Sequence, residues 1–227
     1  MSPSHSRSQI VQAIEAGGVV AVVRLKDAAA GRAVADALAL GGVTAIEITM
    51  TVPNAVALIE ELSAWAPPNI LVGAGTVLDA ESARQVMAAG ARFVVSPVFR
   101  QELLDVCHDA DVPAMPGCFS PTEILTAWEA GADIVKVFPA TALGPAFVKD
   151  VRGPLPHVRL MPTGGVTRDN AGEWIRAGAV AIGVGTALVD PVLVAQGRFE
   201  GITANARSFV DAVQQARTAG PIAVGRR

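Results

Sequence analysis

The chain has 227 residues, 51% of them apolar and 17% charged, with a formal charge of −3. That length buries a sizeable core as one α/β barrel or as one or two smaller domains, and no apolar run approaches the roughly 20 residues that cross a bilayer. The slight negative charge, without a basic run or interleaved aromatics, disfavours nucleic acid as a partner. The polar start lacks the apolar centre of a signal peptide, so a cytoplasmic protein with no membrane partner is expected. Cys107 and Cys118 form neither a Cys-x-x-Cys motif nor a disulfide framework and read as reduced core side chains.

Residues 1–7 are expected to fray. A helical apolar spacing over 8–16 stops at Gly17-Gly18, and 19–23 is a continuous apolar run closed by Arg24. The alanine-rich stretch 27–40 has Asp27 as N-cap and Gly41-Gly42 as stop. Strand 43–49 alternates so that Ala45, Glu47 and Thr49 share one face, which puts a carboxylate among apolar side chains. Pro53 opens a helix to 65 that Pro67-Pro68 break. Strands follow at 70–74, 93–96 and 112–115, ending in Gly75-Thr76, Pro97 and Pro116-Gly117, with helices at 79–89, 101–109 and 121–130, the last capped by Ser120.

The segment 133–138 is a short strand of β-branched and aromatic residues between Gly131 and Pro139. Ile134, Lys136 and Phe138 share one of its faces, so Lys136 points where core residues point. Only three of the 18 basic residues are lysines, and the other two, Lys26 and Lys149, fall in loop or exposed helix. An ammonium taken out of water gives way to the amine, the form that attacks a carbonyl to make a Schiff base. The competing reading is a lysine that snorkels outward or pairs with a buried carboxylate for structure alone.

A helix over 144–151, a strand at 158–161, a helix over 168–177, a strand at 180–184 and a last helix over 203–218 bring the count to eight strands with helices between them. Gly41, Gly90, Gly131 and Gly178 each end a helix just before a strand and recur every 41 to 49 residues, about two βα units. The pattern predicts one (β/α)8 TIM barrel over residues 1–227 with an N-terminal helix. A doubly wound sheet fits less well, because the Gly-x-Gly-x-x-Gly turn it usually carries is missing after 19–23.

Barrel chemistry sits at the C-terminal ends of the strands. Arg24, Glu47, Thr51, Thr76, Pro97, Lys136 and Phe138 stand there, as do the glycine turns that hold Gly164-Gly165 and Gly185-Thr186. Glycines after the seventh and eighth strands let backbone N–H groups reach a phosphate, although ordinary turns use them too. His5, His108 and His157 are scattered, so neither a metal nor a cofactor is expected, and a protonated imine on Lys136 is left as the electron sink.

Five segments carry a resemblance: Glu47-Ile48-Thr49, Gly73-Ala74-Gly75-Thr76-Val77, Val95-Ser96-Pro97, Lys136-Val137-Phe138-Pro139-Ala140 and Pro162-Thr163-Gly164-Gly165-Val166. In this order, within residues 19–209, they resemble those of the 2-keto-3-deoxy-6-phosphogluconate (KDPG) aldolases, often bifunctional with 4-hydroxy-2-oxoglutarate (KHG). The resemblance implies a metal-independent class I aldolase on a (β/α)8 barrel, usually a homotrimer, that acts on a small phosphorylated keto acid and releases pyruvate and glyceraldehyde 3-phosphate. It makes Lys136 the Schiff-base lysine and Glu47 the acid/base, sets Thr76, Pro97 and Phe138 around the pyruvyl group, and gives the phosphate to Gly164, Gly165, Gly185 and Thr186. One position departs from the family. Many members have an arginine for the substrate carboxylate two residues after the threonine of Glu-x-Thr, where this chain has Thr51. A hydroxyl does not replace a guanidinium fork. Arg24 is the arginine at a strand end that could take the carboxylate, or else the phosphate. Two alternatives stand beside this reading: an aldolase for a related keto acid such as 2-keto-3-deoxy-6-phosphogalactonate, and a phosphosugar isomerase or epimerase with Glu47 as base.

Overall fold

In the computed structural model, which describes residues 6–219, parallel strands alternate with helices along the chain. The strands are β1 (Val19–Val23), β2 (Ala45–Thr49), β3 (Leu71–Gly75), β4 (Val94–Val95), β5 (Ala114–Met115), β6 (Gly117–Cys118), β7 (Val135–Val137), β8 (Leu160–Pro162) and β9 (Ile182–Val184). The helices are α1 (Arg7–Gly17), α2 (Gly31–Leu40), α3 (Ala55–Trp65), α4 (Ala80–Ala88), α5 (Gln101–Asp109), α6 (Pro121–Glu129), α7 (Gly144–Arg152), α8 (Ala171–Arg176), α9 (Pro191–Ala195) and α10 (Phe199–Thr218). Six strands pair in the order β5-β4-β3-β2-β1-β9 and three in the order β6-β7-β8, all in parallel. A single bridge, Thr163 to Gly183, joins the end of β8 to β9.

The expected strand 112–115 shortens to β5, and a further short strand, β6, forms beyond Pro116. Pro116 has no N–H to give a ladder, so the chain pairs with β4 before it and with β7 after it. Other boundaries move for equally local reasons. The helix expected from residue 8 starts at Arg7, because the Ser6 hydroxyl and the Gln9 side chain form a capping box, and the rest of the expected frayed tail, 1–5, lies outside the described residues. Asp27 caps a 3-10 turn, Ala28–Ala30, that leads into α2. Asn54 in a left-handed conformation, φ 56°, delays α3 to Ala55. Sequence reading missed α9, whose signal is Asp190-Pro191: the aspartate side chain accepts from the Val192 N–H at 2.7 Å and proline takes the first helical position. Of the four echoed glycines, Gly90, Gly131 and Gly178 adopt φ 99°, 99° and 107°; in the first repeat it is Gly42, φ 89°, that does so.

Alternation along the strands divides the apolar side chains into two groups. One face, with Ala21, Ile46, Val72, Val135 and Ile182, packs with buried helix residues such as Leu38, Ile59, Trp174 and Phe209. The other face gathers Val20, Ala45, Leu71, Phe93, Ile134 and Ala181 at the N-terminal ends of the strands, where Ile10, Val11 and Ile14 of α1 complete the cluster. That end of the inward face is therefore closed by apolar packing. Among the described residues no helix is long and apolar enough to cross a membrane.

Candidate active site

Two residues beyond Ala45, on β2, and two beyond Ile134, on β7, the inward face turns from apolar to charged. Glu47 and Lys136 come from different sheets, and Lys136 Nζ lies 3.9 Å from Glu47 Oε1 with side chains only 4% and 1% exposed. That separation exceeds hydrogen-bond reach, and neither Glu47 oxygen has a hydrogen-bond partner. The contact is Coulombic. Burial raises the Glu47 carboxyl above its usual 4.5, outweighing the downward pulls of Lys136 and then Arg24. A carboxyl held this way is a stronger base and keeps a proton more readily than an exposed one, which suits a group that takes and returns a proton. The Phe138 ring flanks the amine, its centroid 5.2 Å from Lys136 Nζ.

The Phe138 ring also lines a pocket of about 320 Å³ whose wall includes Arg24, Gly164, Gly165, Gly185 and Thr186 but neither Glu47 nor Lys136. Gly164 and Gly165 adopt φ 93° and 71°, which a side chain would strain, and the loop is pinned by Asn170: its Nδ2 donates to Gly165 O at 2.9 Å and its Oδ1 accepts from Thr167 N at 2.8 Å. The expected phosphate residues and Arg24 thus come together. Thr51 is not part of that wall; its hydroxyl is 2.8 Å from that of Thr49, which in turn donates to Val23 O at 3.2 Å. Thr76 follows β3 with φ 59°, uncommon for a β-branched residue. Pro97 follows β4, with its carbonyl against Gly117 where a Cβ would stand.

Thr163 lines the same pocket and was not singled out from the sequence: it is buried and its Oγ1 has no partner. A threonine before two glycines reads as a turn residue, so only its burial reveals it. Cys107 and Cys118 are free and buried, and burial pushes both thiols up to about 12, which leaves them inert as nucleophiles. Among the described residues no three His, Cys, Asp or Glu side chains cluster as metal ligands would.

The family model for KDPG and KHG aldolase matches residues 10–205. The 2-dehydro-3-deoxy-phosphogluconate aldolase of Pseudomonas aeruginosa is 40% identical over 164 residues, 72% of this chain and 74% of that one. The enzyme of the same name from Treponema pallidum is 38% identical over 199 residues, 86% of this chain and 93% of that one. The solved KDPG aldolase from Legionella pneumophila, with pyruvate captured as a covalent carbinolamine, aligns with a TM-score of 0.82 at 30% identity, covering 88% of this chain and 98% of that one. With the motif residues at its strand ends and a family match across most of its length, this chain belongs to the KDPG and KHG aldolase family.

Proposed function

We propose that the protein is a class I aldolase that cleaves KDPG to pyruvate and glyceraldehyde 3-phosphate, and KHG to pyruvate and glyoxylate. The observation that carries this reading is the buried Lys136–Glu47 contact beside a glycine-walled pocket. In the reaction the Lys136 amine adds to the C2 carbonyl, and the carbinolamine loses water to give an iminium. The Glu47 carboxylate takes the C4 hydroxyl proton as C4–O becomes a carbonyl. The C3–C4 bond breaks and its electron pair flows to the iminium, leaving an enamine. Glu47 then returns the proton to C3, and water hydrolyses the imine to release pyruvate and the amine. One water leaves and one is consumed, so the cycle balances.

Thr76, Pro97 and Phe138 surround the pyruvyl end in this reading, and Gly164, Gly165, Gly185 and Thr186 take the phosphate. Arg24, which shares their pocket, is assigned to the phosphate, a role its position supports better than that of a carboxylate clamp in place of an arginine at 51. The carboxylate is then left to Thr76 and nearby backbone amides. Borohydride reduction in the presence of pyruvate tests the reaction class. Covalent label should map to Lys136 and be lost in Lys136→Ala and in Lys136→Arg, whose guanidinium stays protonated. An unlabelled wild-type protein would leave an isomerase or epimerase as the better reading.

The same proposal includes one (β/α)8 barrel domain closed between β8 and β9, with β5 and β6 as halves of one strand. The Thr163–Gly183 bridge and the hydrogen bond from Val180 N to Leu160 O, 3.0 Å, support closure. It also includes the homotrimer and the cytoplasmic location that the resemblance and the sequence suggest; sedimentation of the purified protein checks the first and fractionation of its host cells the second.

A further inference from the structure

Gly73 and Gly75 both face inward on β3, and neither is among the glycines with positive φ, so the backbone does not call for glycine at 75. Space does. A Cβ on Gly75 would fall on Glu47 Oε1 and stand 2.5 Å from Glu47 Cδ and 2.6 Å from Cγ. The register pairs Glu47 with Gly73 and Thr49 with Gly75. The Glu47 side chain therefore leans toward the C-terminal end of the strands and lies in the hollow that the missing side chain leaves. No hydrogen bond holds either carboxylate oxygen, so the hollow over Gly75 and the Coulombic pull of Lys136, its Nζ 3.9 Å away, set where the carboxylate rests.

We propose that Gly75 is a positioning residue for Glu47: its bare Cα is the seat that aims the carboxylate at the imine carbon's neighbours. This rests on Glu47 being the proton carrier. Any side chain at 75 drives the carboxylate off its seat, and a displacement of about 1 Å at a reacting group can cost about 100-fold in rate.

The test compares Gly75→Ala with wild type, Glu47→Gln and Gly73→Ala. In Gly73→Ala the three atoms nearest the new Cβ all belong to the Phe93 ring, at 2.5 Å, so it reads damage to the same face of the same strand. Gly75→Ala should reach the wild-type end point of borohydride labelling with pyruvate, while pyruvate C3 deuterium exchange falls about 100-fold. Gly73→Ala should melt earlier than wild type but keep exchange within a few fold. Melting assigns the collision: Gly75→Ala should lower Tm in the wild-type background and spare it in a Glu47→Ala background. The proposal is overturned if Gly75→Ala keeps exchange within about threefold of wild type, loses labelling along with exchange, or costs the same Tm in both backgrounds. Should Glu47→Gln itself keep wild-type exchange, the proton-carrier reading falls first, and the seat has nothing to aim.

Discussion

Glu47 sits in an interior that does not suit its charge, and the nearness of Lys136 offsets only part of that cost. Burial is the largest influence on Glu47 and raises it; Lys136 and Arg24 act in the opposite direction. A carboxyl whose folded value is raised holds its proton better in the folded than in the unfolded chain. Its contribution to stability is full below the unfolded value, near 4.5, and is lost as pH rises through the folded one. In a Lys136→Met background the nearest downward pull is gone and the window widens. Lys136→Met/Glu47→Gln should then melt above Lys136→Met at alkaline pH, with the gap closing on acidification; a gap independent of pH would mean that Glu47 does not titrate in the fold. Both residues were legible in the sequence because alternation along a strand reports which way a side chain faces, and a charge on an apolar face is conspicuous. Gly75 and Thr163 were not, since the first matters for an atom it lacks and the second for a hydroxyl left without a partner.

At the scale of elements, most strands and helices follow from periodicity and glycine stops, and the departures trace to single residues: Pro116 parting β5 from β6, Asn54 delaying a helix, Asp190-Pro191 starting one. What periodicity does not carry is which strand ends come together. Arg24 closes β1 and Gly185 follows β9, far apart in sequence, yet β1 and β9 are neighbours in the sheet and both residues line one pocket. Thr51, two residues past β2, marks in the sequence the place of a missing arginine; in the structure its hydroxyl meets that of Thr49 and lies outside that wall. Arg24→Met should therefore weaken the phosphorylated substrate selectively. Losing a hydrogen bond to a charged group costs about 1.5 to 3 kcal/mol, so kcat/KM for KDPG should fall roughly 10- to 100-fold. KHG, which has no phosphate, should lose much less, only what the missing pull of Arg24 on Glu47 costs. Equal losses on both substrates would return Arg24 to the carboxylate, and no loss on either would make it a bystander.

Across the whole molecule the two ends of the strands carry different duties. At the N-terminal end, α1 packs Ile10, Val11 and Ile14 into the inward cluster, and polar ties hold its rim: Arg7 Nε to Asp133 Oδ1 at 2.7 Å and Arg159 Nε to Glu15 Oε1 at 2.8 Å. At the C-terminal end lie Glu47, Lys136 and the glycine pocket. In barrels the first end reads as stability and the second as chemistry. Ile14 tests that division, being fully buried in α1 with no polar duty. Ile14→Ala should cost about 2 to 5 kcal/mol through lost burial and the cavity left behind. At about 2 to 4 °C per kcal/mol for a chain of this size, Tm should fall by roughly 4 to 20 °C. The kcat at 25 °C should stay within about twofold of wild type, because the deleted carbons belong to the apolar cluster at the N-terminal end of the inward face and not to the Lys136–Glu47 end. A tenfold drop in kcat with an unchanged Tm would reverse the assignment, making α1 a support for the geometry of Lys136, which β7 carries only three residues after Asp133.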